Sequence, residues 1–261
     1  MSYRKLNKWS NYVIMRREKL LRQYLPPTRI ATKRMLYRML SHYGMVYMKP
    51  VSGQQGRGVM RVEKHKGGRW KYVYQHGKRK RAFANYHQAY ASLCREMKGE
   101  RYIVQKGIWM LTHRGRPFDL RQMIQRAPRG GFATTGTLAR VAHPRKIVTN
   151  GSQGGSIYST DAVLRKFASP ANRRKLYRRM NTLAHRTVRQ LWRVTPGIKE
   201  LGMDYAIDHK LKLWILEVNS KPGVSPYTLL RDKSIIRRIV RYGRAYGKKY
   251  SLVVKRAKRG T

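Results

Sequence analysis

The chain has 261 residues, with 60 Lys and Arg against 11 Asp and Glu, for a formal net charge of +49. A surplus of this size repels itself, which implies an anionic partner such as a nucleotide, a nucleic acid or an acidic polymer, unless the positive surface is merely solvated. The 41% hydrophobic content argues against a disordered chain, the single cysteine (Cys94) excludes an intrachain disulfide, and no apolar run approaches the roughly 20 residues of a membrane span.

The order of the predicted elements indicates one α+β domain without a regular βαβ repeat. Apolar residues spaced three and four apart predict helices at residues 11–24, 32–43 and 86–98, within 161–193, and at about 232–246. Strand-like segments lie at residues 44–49, 59–63, 70–75, 101–105, 120–125, 134–141, 203–207 and 212–219. Pro26 and Pro27 end the first helix, and the tail from Lys255 is expected to fray.

The start of the chain gives an expectation about location. Met1 to Trp9 is polar and basic and lacks the apolar stretch of a secretory signal. With one cysteine and no membrane span, we expect a soluble, cytoplasmic protein that does not bind a membrane.

A glycine-rich segment from Lys49 to Gly58 connects two strand-like segments. Gly53, Gly56 and Gly58 allow a loop to bring backbone N–H groups close to phosphate oxygens. Lys49, at the end of the preceding strand, is a candidate cation for the same phosphates. The segment matches neither a Walker A loop nor a dinucleotide fingerprint, and a plain glycine hairpin is the alternative.

A second group of motifs lies in the middle of the chain. Asp119 and Arg121 alternate onto one strand face, and Arg140 follows on another predicted strand. An arginine in this setting is suited to clamp a phosphate or a carboxylate through two hydrogen bonds, although most arginines of so basic a chain lie on the surface. Val148-Thr149-Asn150 and Gly154-Gly155 come next.

The two acidic residues of the last predicted hairpin form a candidate metal site. A turn centred between Lys210 and Leu211 places Asp204 opposite Glu217, with Cβ atoms ~5 Å apart. Strand alternation puts Asn219 on the face of Glu217, and an all-oxygen set of this kind suits Mg²⁺. The alternative is that one or both carboxylates pair with Lys or Arg, which is easy in this chain.

Taken together and in this order, these motifs resemble ATP-grasp proteins. The similarity is greatest to the YheC/YheD family of endospore coat-associated proteins and more distant to the RimK-type glutamate ligases. It runs from about residue 7 to 225 and is carried by Lys8-Trp9, Leu25-Pro26-Pro27-Thr28, Lys49-Pro50 with its glycine loop, Phe118-Asp119-Leu120-Arg121, Val148-Thr149-Asn150, Gly154-Gly155 and Glu217-Val218-Asn219-Ser220-Lys221-Pro222-Gly223.

The resemblance implies a fold and a set of roles. The fold would be two α+β subdomains, about 1–105 and 106–225, that enclose a nucleotide, followed by a basic helix and tail at 226–261. ATP would be bound by Lys8, Lys49, Gly53, Gly56, Gly58, Gln105, Lys106, Ile108 and Asn150, of which Gln105, Lys106 and Ile108 would act through the backbone of the hinge. Arg121, Arg140 and Lys49 would serve the reacting groups, and Asp204, Glu217 and Asn219 would hold Mg²⁺.

The function implied by the resemblance is ATP-dependent joining of a carboxylate to an amine through an acyl phosphate. The charge predicts an acidic peptide, protein or polymer as substrate, together with non-specific polyanion binding. One alternative is a non-catalytic, polyanion-binding spore-coat or scaffold protein on the same frame, and a nucleic-acid-binding protein is another. Two departures from the family pattern are that no acid lies between Lys106 and Phe118 to bind the ribose, and that Lys106 stands where relatives often carry Glu.

Overall fold

The computed structural model describes residues 6–53, 56–149 and 154–260. Its helices are α1 (Lys8–Met15), α2 (Lys19–Tyr24), α3 (Lys33–Tyr43), α4 (Tyr86–Met97), α5 (Thr160–Leu164), α6 (Pro170–Trp192), a 3-10 helix (Ser225–Leu229) and α7 (Ser234–Arg244). Its strands are β1 (Thr28–Ile30), β2 (Met45–Pro50), β3 (Met60–Lys64), β4 (Tyr72–His76), β5 (Arg79–Phe83), β6 (Tyr102–Lys106), β7 (Thr112–His113), β8 (Arg116–Arg126), β9 (Phe132–Val141), β10 (Ser156–Tyr158), β11 (Glu200–Ile207), β12 (Leu213–Asn219) and β13 (Lys258–Arg259).

The first sheet is antiparallel and, among the described residues, has six strands in the order β1-β6-β2-β3-β4-β5. Helices α3 and α4 cover one face, where Leu36 and Leu40 pack with Leu93 against the strands. The helix α3 begins where the Thr32 hydroxyl accepts the Met35 N–H at 3.1 Å. These contacts give the N-terminal sheet its own apolar core.

The second sheet has the order β12-β11-β8-β9-β10-β13, with β7 paired to β8 at its side. The long helix α6 covers one face and contributes Met180 and Leu183 to the largest core cluster. Helices α1 and α2 belong to this core as well, through Ile14, Met15 and Leu21, although they precede the first sheet in the chain. The first sheet is therefore inserted in the chain between two helices and the strands of the second layer, and the α+β class is confirmed.

Two predicted elements differ in the structure. Residues 11–24 form two helices, because Asn7 caps α1 and the Glu18 carboxylate accepts the Leu21 N–H at 2.6 Å to begin α2. The prediction of a frayed tail was wrong: β13 pairs in parallel with β10, and the Gly260 N–H donates to the Ile157 carbonyl at 2.8 Å. Within the described ranges, no helix combines the length and the apolar character needed to cross a membrane.

Candidate functional site

The candidate site is a cleft between the two sheets, with about 640 Å³ of empty space open to solvent. One part of its wall is apolar and is formed by Val59, Ile108, Met110, Ile147 and Leu216. The polar part carries the side chains that the sequence singled out, namely Lys49, Gln105, Asp119, Arg140, Asp204 and Glu217. An apolar wall beside convergent charges is the usual construction of a small-molecule site.

The glycine segment reaches the cleft from β2. Gly56 and Gly58 have positive φ angles of 72° and 70°, a left-handed conformation that favours glycine. A Cβ atom on Gly53 would lie 2.5 Å from Pro50 Cγ, so this position also has room only for glycine. Lys8 anchors the segment, since its ammonium donates to the Gly53 carbonyl. The predicted loop between two strands is present, and β2 and β3 pair as a hairpin around it, while Gln54 and Gln55 lie outside the described residues.

Lys49 projects from the end of β2 towards the second sheet. Its ammonium donates to Gln105 Oε1 at 2.7 Å, and Gln105 in turn donates to Thr28 Oγ1 at 3.2 Å. Burial lowers the pKa of Lys49 to about 8, although the nearby Glu217 carboxylate acts in the opposite direction. The amine is therefore held by an uncharged partner, and an anion in the cleft would stabilise its charged form.

The hairpin of β11 and β12 places Asp204 directly opposite Glu217, as the sequence predicted. The turn itself is displaced from its predicted centre, because Ile207 pairs with Leu213. An irregularity between Asp204 and Tyr205 makes up the difference, since Tyr205 pairs with Ile215 and Leu216 is the extra residue. The predicted pairing of the two acids was thus correct because a bulge offsets the displaced turn.

Four charged side chains form a buried cluster on β8, β9 and β11. Arg121 binds Asp204 through both carboxylate oxygens, with Nη2 2.9 Å from Oδ2. Arg140 Nε donates to Asp119 Oδ1 at 2.8 Å, and Arg140 Nη2 lies 3.0 Å from Asp204 Oδ2. The strand register explains the cluster, because Asp119 pairs with Arg140 and Arg121 pairs with Asp204.

The pKa values of this cluster follow from burial and charge. Burial would raise the pKa of Asp204, but the guanidinium groups of Arg121 and Arg140 outweigh it and hold that pKa below its usual value. Burial would lower the pKa of Arg140, and the carboxylates of Asp119 and Asp204 raise it instead. Asp204 and Arg140 are therefore held in their ionised forms near neutral pH, so the site contains fixed charges.

The described residues contain no group of three His, Cys, Asp or Glu side chains arranged around one point. The predicted metal set differs from such a group because its third member is an amide. Asn219 Nδ2 lies 3.4 Å from Asp204 Oδ2, and Glu217 faces Asp204 across the hairpin with its Oε1 3.7 Å from Lys8 Nζ. Two carboxylates and an amide within one hairpin face are oxygen ligands of the kind Mg²⁺ takes, so the residues fit this ion.

The segment that joins β6 to the second sheet forms one end of the cleft. The Lys106 N–H donates to the Pro27 carbonyl at 2.8 Å, and the Gly107 N–H donates to Met45 at 2.9 Å. In the described chain the Ile108 N–H has no backbone acceptor, and Ile108 packs with Trp214 in the apolar wall. The Lys106 ammonium lies over the Trp214 ring at 5.2 Å. This end offers an apolar slot with an available backbone donor.

The structure brings together most of the predicted site residues, and Gly58 lines a neighbouring depression with Gly56. Asn150 lies outside the described residues. The apolar wall and the role of Asp119 as the partner of Arg140 were not predicted. Strand alternation alone would put Leu216 on the face opposite Glu217, so no local sequence signal points to this wall.

A protein-family model described as YheC/D-like ATP-grasp matches residues 1–249 of this chain. Two similar curated proteins come from Bacillus subtilis (strain 168). The endospore coat-associated protein YheD is 24% identical over 229 residues, which is 85% of this chain and 49% of YheD. The endospore coat-associated protein YheC is 22% identical over 220 residues, which is 83% of this chain and 60% of YheC. The chain thus spans about half to three fifths of these relatives.

Among solved structures, the chain is similar to N5-carboxyaminoimidazole synthase from Aspergillus clavatus in complex with ADP and 5-aminoimidazole ribonucleotide. The TM-score is 0.51 and the identity 11%, over 83% of this chain and 44% of the other. Similarity at this level of identity concerns the fold alone. It agrees with two sheets that face each other across a cleft.

Proposed function

Because the chain belongs to the YheC/D-like ATP-grasp family, we propose that it is a Mg²⁺-ATP-dependent ligase that joins a carboxylate to an amine through an acyl phosphate. The observation that carries the proposal is the cleft in which four cations converge with three carboxylates beside an apolar wall. The cations are Lys8, Lys49, Arg121 and Arg140, and the carboxylates are Asp119, Asp204 and Glu217.

The geometry suggests a division of labour within the cleft. The apolar slot at Ile108, with its available N–H, would take the adenine ring, and Lys8 and Lys49 would bind the phosphates. Mg²⁺, held by Asp204, Glu217 and Asn219, would supply positive charge beside those phosphates. Arg121 and Arg140 would then stabilise the charge that develops as the phosphoryl group transfers.

For the substrate, we propose an acidic peptide or macromolecule. The formal charge of +49 would concentrate anionic molecules at the protein surface and accelerate their encounter with the cleft. The same charge supports non-specific binding of polyanions. By analogy with the names of YheD and YheC, we also propose that the protein associates with the spore coat after synthesis in the cytoplasm.

A non-catalytic scaffold is the second candidate function. Two observations favour it: both guanidinium groups of the site are already bound to Asp204 or Asp119, and no acid lies between Lys106 and Phe118 to bind the ribose. In that case the cleft would contribute to stability, and the positive surface would bind coat polyanions. The two candidates differ in whether an acyl phosphate is formed.

Hydroxylamine trapping distinguishes the two. Purified protein is incubated with Mg²⁺-ATP, hydroxylamine and glutamate, short acidic peptides or extract of the native source, and hydroxamate and ADP are measured. A ligase gives both products, and both should be lost in Lys49→Ala and Glu217→Gln, which remove charge from the phosphoryl-transfer site. Lys80→Ala, at an exposed position of β5, is the matched control. Mg²⁺-ATP binding with no hydroxamate from any acidic pool would favour the scaffold.

A further inference from the structure

A second groove lies on the outer surface, between α6 and the turn that joins β11 to β12, with about 1200 Å³ of open space. It is separated from the cleft by the second sheet. Leu213 packs with Leu176 of α6 on one face of β12, whereas Trp214, the next residue, packs with Ile108 at the cleft. A molecule in the groove would therefore not occupy the nucleotide site.

The walls of the groove are cationic. Lys175, Arg178 and Arg179 are exposed on one side of α6, within two helical turns, and Lys212 lines the opposite wall. The described lining contains no Asp or Glu. The acid of the adjacent turn, Asp208, is already used by the N–H groups of Lys210 and Lys212, at 2.9 and 3.0 Å, and by the Trp214 indole. The lining therefore lacks an anion of its own for these cations.

The floor of the groove is apolar. It is formed by Tyr24, Leu176, Leu211 and Leu213, and the Arg179 guanidinium lies 5.6 Å from the centre of the Tyr24 ring. A phosphate polymer would neutralise the walls but gain nothing from such a floor. A polypeptide that alternates acidic and apolar side chains matches both features, because carboxylates pair with the guanidinium groups while apolar side chains are removed from water.

We propose that this groove docks an acidic peptide segment with apolar side chains, supplied by a partner protein. The proposal goes beyond the nucleotide chemistry of the cleft and does not depend on it, because the two sites lie on opposite faces of one sheet. Peptide binding should accordingly be unchanged by Mg²⁺-ATP.

The test measures fluorescence anisotropy of labelled probes with the full chain at several salt concentrations. The probes are a peptide that alternates Glu and Leu, oligoglutamate of equal charge, and polyphosphate of equal charge. The triple variant Lys175→Gln, Arg178→Gln, Arg179→Gln should weaken the Glu-Leu peptide by about tenfold or more. The control removes three equally exposed charges from α7, as Arg237→Gln, Arg241→Gln, Arg244→Gln, and should weaken it by less than about threefold.

A single substitution tests the apolar floor separately. Leu211 has a φ of 58°, a left-handed conformation in which Asn is well tolerated, so Leu211→Asn removes the apolar side chain without straining the turn. It should reduce the preference for the Glu-Leu peptide over oligoglutamate. Equal weakening by the two triple variants would show that only diffuse charge acts. Polyphosphate bound more tightly than the peptide, with no effect of Leu211→Asn, would identify a phosphate site instead, and either result overturns the proposal.

Discussion

Replacing Lys49 by Met should change the pH dependence of stability, because the ammonium group is buried at the cleft. Burial lowers the pKa of Lys49 in the folded chain to about 8, against an ordinary value of 10.5. Between these two pH values the unfolded chain binds more protons than the folded one, so this residue makes the free energy of unfolding rise with pH. Met keeps the length of the side chain and removes the titrating group.

The size of the effect follows from the shift. The full difference in pKa corresponds to about 3 kcal/mol. Because Lys49 retains some solvent exposure, we expect about 1–2 kcal/mol after screening. The stability of Lys49→Met relative to the natural chain should therefore fall by this amount between pH 7.5 and 10. The slope is the informative quantity, since the substitution also leaves Gln105 Oε1 without its donor.

Urea unfolding of both proteins at closely spaced pH values measures this difference, and Lys80→Met at an exposed position of β5 is the control. The control should show no such slope. ATP phosphates should raise the pKa of Lys49, so ATP affinity should also fall as the pH rises through 8. A stability difference that stays constant from pH 7.5 to 10 would refute the reasoning, because Lys49 would then titrate as an ordinary surface lysine.

Four other predictions concern the site and the surface. Mg²⁺-ATP should stabilise the fold by about 2.7 kcal/mol at a hundredfold excess over Kd, and the absence of any thermal shift at millimolar Mg²⁺-ATP would argue against a nucleotide site. Glu217→Gln should abolish the Mg²⁺-dependent part of that shift while changing the free energy of unfolding of the ligand-free protein by less than about 1 kcal/mol, since its ion pair with Lys8 is long and partly exposed. If the ligand-free Glu217→Gln protein unfolds instead, Glu217 has a structural role. Asp204→Asn, by contrast, should lower the free energy of unfolding by about 3 kcal/mol or more, because Arg121 loses its buried partner. Binding to DNA and to polyglutamate should weaken linearly in the logarithm of salt concentration with little preference between the two polymers, and a DNA sequence preference that survives high salt would contradict this.

The elements that could be predicted are those whose buried apolar residues follow the spacing of either a helix or a strand. Helix α3 and strand β2 were predicted because Leu36, Leu40, Val46 and Met48 lie at helical or strand spacing and are buried. Strand β5 was missed, because its residues are mostly exposed and charged and it forms through pairing with β4. The two-residue strand β13 was missed for the same reason, since both of its residues are exposed and charged and it forms through pairing with β10.

For the site, local pairing was predictable and long-range pairing was not. Alternation along single strands placed Asp119 with Arg121 and Glu217 with Asn219, and the hairpin brought Asp204 opposite Glu217. Arg121 binds Asp204 because β8 pairs with β11. The two residues are 83 positions apart in the chain, so no local sequence pattern indicates their contact. The apolar wall is equally non-local, because its members are spread along the chain from Val59 to Leu216.

The insertion of the first sheet between the first two helices and the strands of the second layer has a mechanical consequence. In the described chain, the backbone passes from one core to the other at two places, after Leu25 and after Lys106. These crossings lie side by side, joined by the hydrogen bond from Lys106 to Pro27 and by the pairing of Thr28 with Gln105. Pro26 and Pro27 restrict the first crossing further, because each proline fixes its own φ angle. Any change in the width of the cleft must therefore be accommodated at these two adjacent segments, because no other described part of the backbone joins the two cores.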